Sequence, residues 1–330
     1  MRLSRRLAVP ALLAASAVGL AACGDGGSGA QAADAAGDGA LSIVTATNVY
    51  GDIASAVGGD DVEVTAIVDS LSQDPHSYEA TVQDKLSVSE ADLVIENGGG
   101  YDVFLGRLAE ETGVEAVLSA VELSGLEEGH SEEGHSEEAS GEAHDDAAGE
   151  DGHGHGAFNE HVWYDLPAMT ALADAIAGEL GRLDEANADA YQERADAFTA
   201  ELQAIQDRLA ALAADGPGGR VAVTEPVPAY LLEDAGLTDA TPEEFTEAIE
   251  EESEVPVAVL EDMKSLVTGG TLAFLAYNDQ TEGSQTEAVR SAAEGAGLPV
   301  LVFTETLPDG EDYVSWMSAN TDSIEAALGS

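Results

Sequence analysis

Cysteine occurs once in the 330 residues, at Cys23. No intramolecular disulfide can form, so packing and polar contacts must hold the fold. Basic residues are scarce: eleven Lys and Arg stand against 65 Asp and Glu, and the formal net charge is −54. Lys85 and Lys264 are the only lysines. Such a surface repels nucleic acid and anionic headgroups, so no nucleic-acid partner is expected. Acidity on this scale serves solubility or tolerance of salt and does not by itself argue for a metal. The usual catalytic signatures are missing too. There is no His-Glu-x-x-His helix, no Gly-x-Ser-x-Gly elbow and no glycine loop followed by Lys and Ser or Thr. Asn97-Gly98-Gly99-Gly100 lacks that pair and reads as a tight turn. An enzyme is not expected.

The chain has one long apolar run, at its start. Arg2, Arg5 and Arg6 precede Leu7 to Leu20, a stretch of signal-peptide length that is too short to span a bilayer. It ends in Leu20-Ala21-Ala22-Cys23, the bacterial lipobox pattern. Residues 1–22 therefore read as a lipoprotein signal peptide. Cys23 is the expected lipidation site and mature N-terminus, and two or more acyl chains would anchor the protein outside the cytoplasm on the cell membrane. Residues 23–40, rich in Gly, Ala, Asp and Ser, read as a flexible tether.

The remainder divides into similar halves. Strand-like segments at Leu41–Thr47, Val62–Val68, Asp92–Glu96 and, more weakly, Val114–Leu118 alternate with helical ones at Val49–Val57, Tyr78–Glu90 and Val103–Thr112. Arg220–Thr224, Val257–Leu260, Thr271–Tyr277 and Leu298–Phe303 repeat the strand rhythm, with helices at Pro226–Ala235, Gly283–Glu294 and Asp312–Leu328. Alternation of this kind predicts an α/β fold of two lobes, each a parallel sheet flanked by helices. The lobes are expected at 41–183 and 216–330. Between them, 184–215 predicts a long rigid connecting helix. Asp184 to Ala214 contains no Gly or Pro, and Tyr191, Phe198, Leu202, Ile205, Leu209 and Leu212 recur at helical spacing.

Residues 126–156 fit neither lobe. They hold His130, His135, His144, His153 and His155 among eleven acidic residues, with almost nothing to bury. They are expected to form a disordered loop, an auxiliary metal-binding tract whose imidazoles suit zinc, copper or nickel.

Only two histidines lie elsewhere. His76 follows the strand ending at Val68, and Pro75 restricts the backbone before it. His161 precedes Asp165-Leu166-Pro167, which reads as a helix cap and first turn. In the second half, Glu225 follows the strand ending at Thr224, and Asp279 follows the strand ending at Tyr277. Ligands of parallel α/β sheets gather at the carboxyl ends of the strands. Two imidazoles and two carboxylates meeting there would offset a divalent charge in a closed site. A metallo-hydrolase would instead keep an open coordination position.

With these residues in view, the sequence resembles the zinc/manganese-type solute-binding lipoproteins of ABC importers. The resemblance spans Ser42 to Leu328 and rests on seven segments in order: Asn48–Asp52, Asp74–Glu79, Asn97–Asp102, Asn159–Asp165, Thr224–Val227, Tyr277–Thr281 and Thr304–Pro308. It implies a monomer of two lobes joined by a long helix, with one transported metal ion between them. The partners would be a membrane permease and, through it, a cytoplasmic ATPase. The implied metal ligands are His76, His161, Glu225 and Asp279, with Gln280 or Glu282 as alternatives to the last. Many zinc-specific relatives carry histidine where Glu225 stands, and manganese-type relatives carry glutamate. The histidine-rich loop is typical of zinc-type relatives, so Zn2+ is the expected cargo and Mn2+ the alternative. A surface adhesin of the same fold is a further alternative.

Overall fold

The computed structural model describes residues 39–73, 75–126, 159–215, 218–251 and 253–329. The signal, Cys23, the tether up to residue 38 and all five histidines of the 126–156 tract lie outside the described residues.

The first lobe runs β1 (Leu41–Thr47), α1 (Asn48–Gly58), β2 (Val62–Val68), α2 (Val82–Ser89), β3 (Leu93–Glu96), α3 (Val103–Thr112), β4 (Val117–Ser119) and α4 (Ala120–Ser124). After the 126–156 tract come a short 3-10 turn (Val162–Tyr164), α5 (Leu166–Leu183) and the long α6 (Ala188–Asp215). The second lobe runs β5 (Arg220–Val223), α7 (Ala229–Asp234), β6 (Thr238–Asp239), α8 (Glu243–Glu250), α9 (Val257–Thr268), β7 (Leu275–Asn278), α10 (Ser284–Ala296), β8 (Val300–Phe303) and α11 (Tyr313–Leu328). The sheets are ordered β2-β1-β3-β4 and β6-β5-β7-β8, and every pairing is parallel. The central strands β1, β3, β5 and β7 are largely buried because helices cover both faces. In both sheets the order reverses beside the first strand, so a crevice opens at the carboxyl ends of β1 and β3, and of β5 and β7.

One expected strand is a helix. Val257–Leu260 opens α9, where Val259, Met263 and Val267 are buried at four-residue spacing. A four-residue apolar run cannot by itself be told from the first turn of a buried helix, and Pro256 suits the position just before one. The fourth strand of this sheet is instead β6, two exposed residues at the edge that carry no periodic signal.

Helix α6 is a spine of 28 residues. Its inner stripe of Tyr191, Ala195, Phe198, Leu202, Ile205 and Leu209 is buried. That stripe belongs to one apolar cluster that includes Ile43 and Leu93 of the first sheet and Val221 and Phe303 of the second. Two arginines tie its ends down. Arg194 donates to the carbonyls of Val57 and Gly58 and pairs with Asp61, while Arg208 pairs with Asp322 and Glu325 of α11. A continuous core resists hinge opening because separating the lobes would expose apolar surface at about 25 cal/mol per Å2. Among the described residues, no helix is long and apolar enough to cross a membrane.

Candidate metal site

His161 sits immediately before the Val162–Tyr164 turn, whose three side chains are all buried. That apolar turn carries the imidazole to 0% exposure. Its Nδ1 lies 2.6 Å from Asn159 Oδ1, which also accepts the His161 backbone N–H. An amide oxygen can only accept, so Nδ1 bears the proton and Nε2 keeps its lone pair. That Nε2 is buried without a hydrogen-bond partner, an expensive state unless a cation takes the lone pair. Asn159 is pinned in turn by the second lobe: its Nδ2 donates to Pro226 O, and Tyr230 donates to its carbonyl.

His76 stands on the segment between β2 and α2. Its ring meets Tyr101 edge-on at 4.6 Å and lies 5.9 Å from the ring of His161. Its side chain is 21% exposed, so it forms the solvent side of the site. From the second lobe, Glu225 follows the last residues of β5 and is 2% exposed. Ligand atoms of His76, His161 and Glu225 all lie within 4.8 Å of one another.

Glu305 joins the second-lobe side, and sequence reasoning did not select it as a ligand. It is 1% exposed, two residues beyond β8. Its Oε2 lies 3.4 Å from His76 Nε2 and accepts a hydrogen bond of 3.0 Å from Tyr101 Oη. A signal was available. Glu305 follows its strand much as Glu225 follows β5, and it sits in the Thr304–Pro308 segment that carries part of the resemblance.

Asp279 is not in the cluster. Asn278 closes β7 with its side chain on the site, and side chains alternate along a strand, so the next residue turns away. The Asp279 side chain is 55% exposed and reaches toward Arg290 at 3.8 Å. The two alternatives do not supply a ligand carboxylate either. Glu282 accepts from Tyr277 Oη and faces Arg290. Gln280 accepts the backbone N–H groups of Glu305 and Thr306 and donates to Gln73 O of the first lobe. It therefore positions the Glu305 loop.

Charge is distributed unevenly across the cluster. Burial pushes the His76 pKa down, but its hydrogen bond to Glu305 and the charges of Glu305, Glu160 and Glu225 overcome this and raise it to about 9. Burial drives His161 down to about 3. Burial and the charge of Glu305 raise Glu225. Burial opposes ionisation of Glu305, but the hydrogen bond and charge of His76 hold it below the ordinary carboxylate range. The cluster thus keeps its extra protons on His76 and Glu225, while His161 Nε2 and Glu305 stay free of them. A divalent cation can replace those protons.

Two α/β lobes on a shared spine, with donor groups from both converging at the strand ends, define a two-lobed binding protein. The ZnuA family, "Zinc-uptake complex component A periplasmic", matches residues 43–327, and the chain belongs to it. The chain is a metal-binding substrate-binding component of an ABC transporter and not an enzyme. Such components work with a membrane permease and an ATPase. Among curated relatives, the manganese ABC transporter substrate-binding lipoprotein PsaA of Streptococcus pneumoniae is 23% identical over 97% of each chain. Among solved structures, the periplasmic zinc binding protein TroA from Treponema pallidum superposes with a TM-score of 0.67 at 20% identity, over 88% of this chain and 99% of that one. The laminin binding protein Lmb of Streptococcus agalactiae, described as having adhesin and metal transporting activity, superposes at 0.66 with 20% identity, over 87% and 99%.

Proposed function

We propose that this protein captures a zinc ion with His76, His161, Glu225 and Glu305 and delivers it to its permease, tethered to the membrane through a lipid on Cys23. The observation that carries the reading is the lone pair of His161 Nε2, buried and unpartnered, in a cluster with Glu225 and His76 and with Glu305 beside His76. Two neutral imidazoles and two carboxylates form a four-donor set that balances a divalent ion and suits tetrahedral zinc at about 2.0–2.2 Å. The paired carboxylates also favour a second cargo, manganese, which prefers oxygen donors and a larger shell. The name of PsaA supports that second reading. Release requires at least one ligand to withdraw on docking. His76, on a loop and partly exposed, is the donor best placed to do so.

The test is the metal content of protein purified without chelator, followed by competition of Zn2+ against Mn2+ for the emptied site. One zinc per chain, retained against manganese, is the expected result. Manganese that displaces zinc would replace the cargo, and a chain that binds neither would end the reading. The anchor is tested by Cys23→Ala, which should release the protein from membranes.

A further inference from the structure

We propose that Asn278, together with Thr281, limits Glu225 to a single metal-binding oxygen and thereby sets the coordination number, and so the metal preference, of the site. The inference rests on the metal-site reading above and concerns residues that do not touch the ion.

The donors converge on the second-lobe carboxylates. Thr281 Oγ1 donates to Glu225 Oε2 at 2.6 Å, and Asn278 Nδ2 donates to the same oxygen at 2.6 Å. A carboxylate oxygen has two lone-pair sites. Both sites on Oε2 are taken, so Glu225 can offer an ion only Oε1. The second hydrogen of Asn278 Nδ2 goes to Glu305 Oε1 at 2.7 Å, while Glu305 Oε2 lies on the His76 side. One amide thus spans both carboxylates and presents each with one oxygen turned away from it.

Asn278 cannot easily turn. Its Oδ1 accepts the backbone N–H of Gln280 at 3.0 Å, which fixes which end of the amide faces the carboxylates. Its own backbone N–H donates to Thr224 Oγ1 at 2.9 Å, next to Glu225 in sequence. The residue sits at the end of β7 and Glu225 just beyond β5, the two strands that flank the crevice of this sheet. The amide half of the device sits at a strand end, and Thr281 comes from the turn that follows β7; outer groups held this way orient metal ligands and tune the metal.

With Glu225 restricted to one oxygen, two nitrogens and two oxygens make four donors. Zinc accepts four, whereas manganese favours six, reached through bidentate carboxylates or water. Thr281→Val removes one lock with little change of shape. Asn278→Leu removes the other lock on Glu225 and the amide donor to Glu305 Oε1. Each should free an oxygen and move the site toward higher coordination.

The experiment uses the full chain emptied of metal, in wild type, Thr281→Val, Thr281→Ser and Asn278→Leu. Zn2+ and Mn2+ affinities are measured by competition, and Co2+ serves as a spectroscopic probe, because four-coordinate cobalt(II) absorbs far more intensely in the visible than six-coordinate. Wild type should show the intense bands. In Thr281→Val they should weaken, and the zinc-to-manganese affinity ratio should fall about tenfold, the lower end of what outer partners of a metal site contribute. Asn278→Leu, if folded by circular dichroism, should fall at least as far. Thr281→Ser restores the hydroxyl and should recover the ratio. Weak cobalt bands in wild type, or an unchanged ratio and spectrum in Thr281→Val, would overturn the inference while leaving metal capture intact. Failure of the wild type to bind any of the three ions would instead overturn metal capture itself, and this inference with it.

Discussion

The lobes repeat one sheet order, yet they bring opposite chemistry to the crevice. The first supplies two imidazoles and the second two carboxylates. Their routes differ as well. Glu225 and Glu305 lie within two residues of the strands that precede them, so the rigid sheet sets their positions. His76 stands eight residues beyond β2, and His161 comes from a segment far beyond β4 that returns to the sheet through a buried aromatic turn. In the first sheet, Asn97 follows β3 much as Asn278 closes β7, but it holds backbone: its Nδ2 donates to Gly98 O and to Glu160 O, beside His161. The same crevice geometry therefore serves as a support in one lobe and as a carboxylate clamp in the other. An ion bound between them joins a rigid acidic half to a half in which one imidazole, His76, retains access to solvent.

The comparison breaks most severely if either carboxylate is removed. Glu305→Ala and Glu225→Ala should each weaken zinc and manganese alike by more than about 100-fold, beyond the 10–100-fold range of outer-partner changes. Titration calorimetry of both variants measures it, and near-native affinity in Glu305→Ala would take that residue out of the site. Glu225→His should instead shift preference toward zinc, since an imidazole nitrogen suits zinc better than the harder manganese, which prefers oxygen donors.

Protons sharpen the same comparison. His76 holds its proton up to about 9 in the metal-free protein, and a metal needs the neutral ring. Affinity should therefore rise with pH toward about 9, by about tenfold per unit for each proton displaced, and flatten above it. The sign reverses for the metal-free fold. A pKa raised above the unfolded value of 6.5 contributes stability that is fully present below 6.5 and is lost as pH climbs through about 9. Calorimetry in buffers of different ionisation enthalpy counts the protons. Metal uptake at neutral pH with none released would contradict the charge distribution described above.

Much of this arrangement was legible in the residues. β1 and β2 fall where the β-rich segments place them: β1 is buried from Ile43 to Thr47, and the edge strand β2 alternates, with Glu63 and Thr65 exposed between partly buried apolar residues. His76 and His161 stood out because no other histidines lie outside the low-complexity tract, and both occupy polar contexts. What was not legible was direction. Sequence position brings Asp279 and Glu305 equally near to strand ends, and only the pleat decides which carboxylate turns inward. The hydrogen-bonded amides of Asn159 and Asn278 were equally hidden, since a buried asparagine and a loop asparagine look alike without the partners that fix them.

The smallest effect should come from Asp279. Its carboxylate lies in solvent on the far side of the strand end, 3.8 Å from Arg290, which also pairs with Glu282 and Glu294. An exposed pair of this kind contributes about 0–1 kcal/mol. Arg290 keeps two acidic partners when Asp279 is neutralised. Asp279→Asn should therefore leave zinc affinity within about fivefold of wild type, the range that a long-range surface charge can produce. The residual effect should shrink further as salt is raised, because screening acts on exposed charges and not on a coordinate bond. Side-by-side titration of Asp279→Asn and Glu305→Ala at low and high salt separates the two acids. A large, salt-independent loss in Asp279→Asn would mean that the loop after β7 turns its acid inward when metal binds, and Glu305 would then give up its place as the fourth ligand.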